Sequence, residues 1–276
     1  MEGKLYIVGT PIGNLEDMTL RGLRILKAVD CIAAEDTRHT VKLLNHFEIK
    51  KHLIAYHQHN EQSESDKLIA LLKAGKEIAL VSDAGMPVIS DPGAVIIGRC
   101  AEANIPVEVV PGPNAGLCAL VLSALDAGSF TFMGFLGKQS KEIRAGIEKI
   151  AASKDTVILY ETPHRLVKTL EAMAQVIPER PMSISREITK RYEETRRGTV
   201  AEHLAYYQEH PPKGEFVLVI AGGDGRTAAA EDLTELSLET HLAHYLSEGM
   251  TEKEAMKQVA RDRGVSKREI YNQIKR

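Results

Sequence analysis

The chain has 276 residues, enough for about two domains and a sizeable buried core. A hydrophobic share of 43% and a charged share of 26% are those of an ordinary globular protein, and a formal net charge of −3 excludes a whole-chain polycation that coats nucleic acid. Cys31, Cys100 and Cys118 are far apart, odd in number and form no Cys-x-x-Cys pair, which suits a reducing compartment; Cys31 and Cys118 lie among apolar neighbours and are expected as core thiols. The start Met1-Glu2-Gly3-Lys4 lacks a signal-peptide layout and no apolar run approaches a membrane span, so a cytoplasmic protein without a membrane partner is expected.

Lys4–Val8 is a predicted strand, rich in β-branched and aromatic residues, and it ends in Gly9-Thr10-Pro11-Ile12-Gly13-Asn14. This loop departs from G-x-G-x-x-G, and Pro11 removes a backbone donor, so a dinucleotide site is not expected. Thr19 caps a helix with a stripe of Leu20, Leu23, Ile25, Leu26 and Val29. A second strand, Asp30–Ala34, runs into Glu35-Asp36-Thr37-Arg38, with Asp36 or Thr37 as cap of the next helix. Helices are predicted at about 40–47 and 61–74. His57 and His59 lack a third metal ligand and read as a solvated or substrate-facing pair. Ile78–Val81 is a short apolar run expected as a buried parallel strand, and Ser82-Asp83-Ala84-Gly85 stands at its carboxyl end, where open α/β sheets place ligands. Asp91 with Pro92 is expected to cap a helix at about 93–103. Strand Pro106–Val110 is closed by Pro111-Gly112-Pro113-Asn114-Ala115, with Asn114 as a further cap. Alternating strands and helices with such loops predict a mostly parallel α/β sheet in the first half, residues 1–127.

A second α/β unit is expected over 128–222, of mixed-sheet or α+β character. Its elements are a helix at about 142–152, strand Thr156–Tyr160 with the loop Glu161-Thr162-Pro163-His164-Arg165, and a helix to Val176. Strand Met182–Glu187, a hairpin partner over Tyr192–Thr199, a helix near 200–208 and strand Glu215–Ile220 complete it. Residues 223–232 read as a linker and 233–276 as a helical, helix-turn-helix-like tail in which Ser266 caps the last helix. From Lys253 onward eight basic residues stand against three acidic ones in an otherwise acidic chain.

Taken in order, the loops Gly9–Asn14, Glu35–Arg38, Ser82–Pro87 with Ser90–Gly93, Pro111–Pro113 and Tyr160–Arg165 resemble the tetrapyrrole-methylase superfamily of S-adenosylmethionine-dependent methyltransferases over residues 4–222. Where that superfamily commonly has G-x-G-P-G-D and G-D-P, this chain has Gly9-Thr10-Pro11-Ile12-Gly13-Asn14 and Ser82-Asp83-Ala84. Both departures match the branch that methylates a cytidine ribose 2′-hydroxyl in 16S ribosomal RNA. The resemblance implies two α/β domains with the cofactor in the cleft between them, and a homodimer. It implies cofactor contacts from Pro11, from the methionine-binding loop Asp83, Ala84, Gly85 and Met86, from Asn114 and Ala115, and from Tyr160 of the second domain.

Methyl transfer to a ribose hydroxyl rests on in-line placement, with a general base as an optional aid. The ionisable candidates at strand ends are Glu35, Asp36, Glu161, His164 and Glu187, of which Glu161 and Asp36 are favoured. Arg38, Arg165 and Arg186 are candidates for phosphate contacts, as are Arg196 and Arg197 on the expected hairpin and Lys267 and Arg268 in the tail. No metal is expected. The leading expectation is an S-adenosylmethionine-dependent 2′-O-ribose methyltransferase acting on 16S ribosomal RNA of the 30S subunit. The rivals are a tetrapyrrole-precursor methyltransferase and a non-catalytic RNA-binding assembly factor that keeps a cofactor pocket.

Overall fold

The computed structural model describes residues 3–223, 237–247 and 250–274. The first sheet holds β1 (Leu5–Val8), β2 (Cys31–Ala34), β3 (His52–Ala55), β4 (Ile78–Val81) and β5 (Val107–Val110), in the order β3-β2-β4-β1-β5 and parallel throughout. Every residue of β2 and β4 is buried, because helices cover both faces of the sheet and neither alternate set of side chains meets water. On one face Val8, Ile32, Ala34 and Val81 pack with Ile25 and Leu26 of α1 (Leu20–Ala28) and Leu44 of α2 (Thr37–His46). On the other, Leu5, Ile7, Ala33 and Leu80 pack with Leu68 and Leu72 of α3 (Glu61–Lys73) and with Ile96 and Cys100 of α4 (Ala94–Glu102). Since all five strands point the same way, the loops after them open at one edge.

The second sheet holds β6 (Phe130–Phe135), β7 (Thr156–Glu161), β8 (Pro181–Arg186), β9 (Glu194–Thr199) and β10 (Phe216–Ile220), in the order β6-β7-β10-β8-β9. Only β6 and β7 are parallel; the other neighbours are antiparallel, so the sheet is mixed. One face is covered by α6 (Ser140–Ala152), α7 (Pro163–Ala174) and α8 (Val200–Glu209) through Ile147, Ile150, Leu166, Leu170 and Tyr207. The other is covered by α5 (Ala115–Ser123), whose Ala119 and Leu120 lie against Ile158, Val217 and Val219. Thus α5 comes after the last strand of the first sheet but packs on the second. Ile12, from the loop after β1, joins the same cluster and links the two layers.

Three helices, α9 (Leu238–Ser247), α10 (Glu252–Asp262) and α11 (Lys267–Ile274), share a small core of Leu242, Ala255, Met256, Val259, Ala260 and Ile270. Ser266 accepts from the Glu269 amide and Glu269 accepts in return from the Ser266 amide, the reciprocal cap expected for the last helix. The expected linker lies outside the described residues, apart from Gly223. No helix among the described residues is long and apolar enough to cross a membrane.

Several local expectations are corrected. Helix α2 begins at Thr37 rather than near residue 40, because the Asp36 carboxylate accepts from the Arg38 amide and starts the helix there. Strand β3 was not legible: it is a short edge strand with an exposed–intermediate pattern. Asp91 does not cap α4; Gly93, at φ 140°, precedes the helix and Asp91 turns elsewhere. All three cysteines are free, and Cys118 is only partly buried while Cys100 is fully so.

Candidate active site

The loops after β1, β2, β4 and β5 are stitched to one another by backbone and short side chains. Thr10 and Gly85 exchange both backbone hydrogen bonds, at 2.8 and 3.1 Å, and the Thr10 hydroxyl donates to the Ser82 carbonyl at 3.2 Å. The Asp36 amide donates to Asp83 Oδ1 at 3.0 Å, joining the β2 and β4 loops. Gly9 and Gly112 cross so closely that a Cβ on Gly112 would lie 2.8 Å from the Gly9 Cα, backbone against backbone. Only glycine at both positions lets these loops meet. The segment after Gly85 is strained as well. Val88 sits at φ 78° and Ser90 at φ 68°, values that cost L-residues, and β-branched ones most.

Against this edge lies the second sheet, and the cleft between them encloses about 270 Å³. Its walls include Ala84, Gly85, Met86, Ile89 and Asp91 from the first unit, Asn114 and Ala115 at the start of α5, and Phe135, Tyr160, Ile188, Lys190 and Val217 from the second. Six of the eight residues expected to touch cofactor therefore line one cleft. Pro11 and Asp83 do not; Asp83 is turned toward the Asp36 amide. Asn114 Oδ1 accepts from the Leu117 amide at 2.9 Å and caps α5. The Tyr160 hydroxyl accepts from the Gly116 amide at 3.2 Å, and its ring meets Phe132 and Phe135 edge-on at 5.1 and 5.7 Å. Burial pushes the Tyr160 phenol up from its ordinary value.

Three carboxylates converge beside the cleft. Burial, with the charges of Asp91 and Asp83, pushes Glu35 up to about 7. Burial pushes Asp91 up to about 6, with the Asp83 charge adding to it and a hydrogen bond from Ser82 opposing it. Arg38 feels the charge of Asp83, but burial and neighbouring carboxylates alone raise Glu35 and Asp91, and a cation in the cleft would relieve both.

Of the two favoured catalytic carboxylates Glu161 lines the cleft and Asp36 does not, and both are held by partners of their own. Glu161, 4% exposed, accepts from the Thr162 amide at 2.8 Å and from the Thr169 hydroxyl at 2.6 Å, with Arg165 Nε at 3.4 Å. Asp36 takes both Nε and a terminal nitrogen of Arg38, at 3.0 and 2.7 Å, which holds its carboxyl well below the usual range. A carboxylate held that low is a weak base.

The arginines picked for phosphate are mostly structural. Arg165 donates to the Leu136 and Gly137 carbonyls at 2.9 and 3.0 Å. Arg186 spans β8 and β9 to Glu194 at 2.7 Å. Arg196 stacks over the Tyr206 ring at 3.5 Å. Arg197 Nε donates to the Leu122 and Ser123 carbonyls at 3.0 and 3.2 Å, closing the end of α5. Arg38 is 88% exposed despite its partner. Lys267 and Arg268 open α11, and their side chains lie outside those described. His57 and His59 have ring centroids 6.0 Å apart, and among the described residues no group of three potential metal ligands forms.

Sequence reasoning did not place Asp91, Phe135, Ile188 and Lys190 in the site. The signal available for Asp91 was its position in the glycine- and proline-bearing loop between β4 and α4, at the carboxyl edge of the sheet. Lys190 Nζ pairs with Glu187 at 3.0 Å and Glu215 at 2.7 Å on the cleft wall, a contact that spans distant segments.

Comparison with known proteins fits this architecture. Residues 4–204 match the family described as Tetrapyrrole (Corrin/Porphyrin) Methylases. The chain is 47% identical to Ribosomal RNA small subunit methyltransferase I of Bacillus subtilis (strain 168), over 98% of this chain and 93% of that protein. It is 45% identical to the protein of the same name from Escherichia coli O157:H7, over 98% of this chain and 94% of that one. Among solved structures, uroporphyrin-III-C-methyltransferase from Thermus thermophilus aligns with a TM-score of 0.55 at 25% identity, over 79% of this chain and 94% of that one. Diphthine synthase aligns with a TM-score of 0.61 at 15% identity, over 79% and 90%, a likeness of fold alone. The chain therefore belongs to the tetrapyrrole (corrin/porphyrin) methylase family of methyltransferases, in the branch of the ribosomal RNA small subunit methyltransferase I proteins.

Proposed function

We propose that this enzyme transfers a methyl group from S-adenosylmethionine to the 2′-hydroxyl of a cytidine ribose in 16S ribosomal RNA of the small subunit. The observation that carries the reading is the convergence of Ala84–Met86, Asn114–Ala115 and Tyr160 on one cleft beside the raised carboxyls of Glu35 and Asp91. The relatives named for small-subunit ribosomal RNA, rather than for tetrapyrroles, favour RNA as the acceptor.

The residues present fit the cofactor. Ile12, Met86, Ile89, Phe135, Ile188 and Val217 form an apolar wall suited to a nucleoside. Asp91 presents a carboxylate to the cleft, and the left-handed turn at Gly85 (φ 81°) exposes backbone there without a side chain in the way. Bound S-adenosylmethionine would supply an electrophilic methyl group on a sulfonium, and its positive charge would be stabilised by Asp91 with Glu35 and Asp83 behind it. Tyr160 holds the second sheet to the start of α5 and so fixes the width of the cleft. Glu161 locks the start of α7 through Thr162, Thr169 and Arg165, and Asp36 locks the start of α2; both act as positioning residues. Acceleration then rests on orientation of the hydroxyl toward the methyl group, a contribution that needs no committed base. A homodimer fits the apolar side chains that α5 leaves outside, Leu117 at 50% and Val121 at 81% exposed.

The test is methyl transfer from tritium-labelled cofactor to 30S subunits, naked 16S RNA and a corrinoid precursor. Label retained at an alkali-resistant cytidine linkage is the expected result. Label on the corrinoid alone would make the chain a tetrapyrrole enzyme. Cofactor binding without turnover on any acceptor would make it an assembly factor.

A further inference from the structure

We propose that the outer face formed by α1 and α2 is a docking surface for ribosomal RNA, gripping backbone phosphates through Arg24, Lys27 and Lys42. The inference rests on the RNA-methyltransferase reading above and adds to it the surface that holds the substrate.

Charge is distributed unevenly between the two sides of the first sheet. Helix α1, LRGLRILKA, carries Arg21, Arg24 and Lys27 and no carboxylate. Helix α2, TRHTVKLLNH, carries Arg38 and Lys42 and no carboxylate. On the opposite side α3 carries Glu61, Glu64 and Asp66 against Lys67 and Lys73, and in α4 Arg99 is offset by Glu102. Both α1 and α2 bury their apolar stripes in the same cluster, Ile25 and Leu26 from one and Leu44 from the other, which turns their cations outward on one face. Arg24, Lys27 and Lys42 are all exposed.

Those three cations are also unspent. Arg21 is held by Glu108 at 3.6 Å and by the Val109 carbonyl, and Arg38 by Asp36. Among the described residues Arg24, Lys27 and Lys42 make no ion pair. Of the carboxylates that flank the two helices, Asp30 is neutralised by Lys76 at 2.9 Å, while Glu16 and Asp17 lie before the start of α1 and Glu48 lies beyond the end of α2. A chain of net negative charge that keeps one helical face free of carboxylates, with three unpaired cations on it, is complementary to a polyanion.

The face runs up to the cleft. Asp36, which caps α2, donates its amide to Asp83, and the next residues, Ala84 to Met86, line the cleft wall. Arg38 stands at that rim, one helical turn from Lys42. RNA lying along α2 would therefore reach the cleft. Phosphate contacts of this kind fix register without reading bases, which is what delivery of one ribose to a fixed methyl donor requires.

The experiment compares three full-length proteins: wild type, the triple variant Arg24→Gln/Lys27→Gln/Lys42→Gln, and the control Lys67→Gln/Lys73→Gln on α3. Cofactor affinity is measured by calorimetry, and binding to purified small ribosomal subunits is measured across a salt series. The triple variant should keep wild-type cofactor affinity, bind subunits at least about 10-fold more weakly, and flatten the log–log salt slope by about 2 to 3, from three contacts at about 0.7–0.9 each. Its KM for subunits should rise with little change in kcat, and the control should match wild type. Wild-type subunit affinity and salt slope in the triple variant would overturn the proposal, as would an equal loss in the control, which would mark a bulk charge effect. If wild type methylates subunits in either of those cases, only the docking face is refuted; if wild type neither binds nor methylates them, the functional reading falls with it.

Discussion

Replacing Glu35 by glutamine should make the cofactor-free protein more stable at neutral pH. Glu35 is pushed from an ordinary 4.5 to about 7, first by burial and then by the charges of Asp91 and Asp83. A carboxyl raised in this way keeps its proton when folded at a pH where the unfolded chain has released it. Its contribution is fully present below about 4.5 and is lost as pH rises through about 7. At about 1.4 kcal/mol per pH unit, the full shift corresponds to an upper bound of about 3 kcal/mol. The cluster is partly open to water, and screening reduces the expected difference to about 1–2 kcal/mol. Glutamine removes the charge and keeps an acceptor oxygen for the Asp83 amide that Glu35 engages. Denaturant unfolding of wild type and variant at about pH 4.5 and pH 8 isolates the effect, because all other titrating groups are common to both. The two proteins should be nearly equal at the lower pH, with the variant ahead by about 1–2 kcal/mol at the higher. A difference that does not change with pH, or a variant that is the less stable at pH 8, would refute the cluster as described. Saturating cofactor should shrink the gap, since a cation in the cleft relieves the same repulsion.

Asp91→Asn should weaken S-adenosylmethionine binding by about 10-fold or more in calorimetry, given a carboxylate on the cleft wall; Asp83→Ala should cost less, since its contact is with the Asp36 amide. Unchanged affinity in Asp91→Asn would remove that residue from the site. Thr169→Val strips a 2.6 Å hydrogen bond from the buried Glu161 carboxylate and should cost about 1.5–3 kcal/mol in denaturant unfolding. A loss below about 0.5 kcal/mol would show that Glu161 is held by its other partners alone. Deleting residues from 233 onward should leave cofactor affinity unchanged, because every residue on the cleft wall precedes it, while weakening engagement of small subunits. Loss of cofactor binding in the truncated chain would place the helical tail within the catalytic core.

Much of the fold was legible because strand and helix identity depend on side chains close together in sequence. The runs Ile78–Val81 and Phe216–Ile220 are apolar at consecutive positions, as strands covered on both faces must be, and the caps Thr19, Asn114 and Ser266 each stand just before a helix and accept from the amide three residues on. The ordered loops likewise pointed to the family, and Ala84–Met86, Asn114–Ala115 and Tyr160 meet at one cleft. What tertiary structure alone decided was the partner of each charge. Arg197 reads as a free cation on a hairpin, yet it closes the end of α5, 75 residues earlier; Glu161 reads as a base at a strand end, yet Thr169 and Arg165 consume it. Asp91 shows the reverse, a cap in sequence and a titrating wall of the cleft in space. A residue type states what chemistry is possible, but burial and the charges brought near it set proton affinity and availability, and these exist only once segments distant in the chain have packed together.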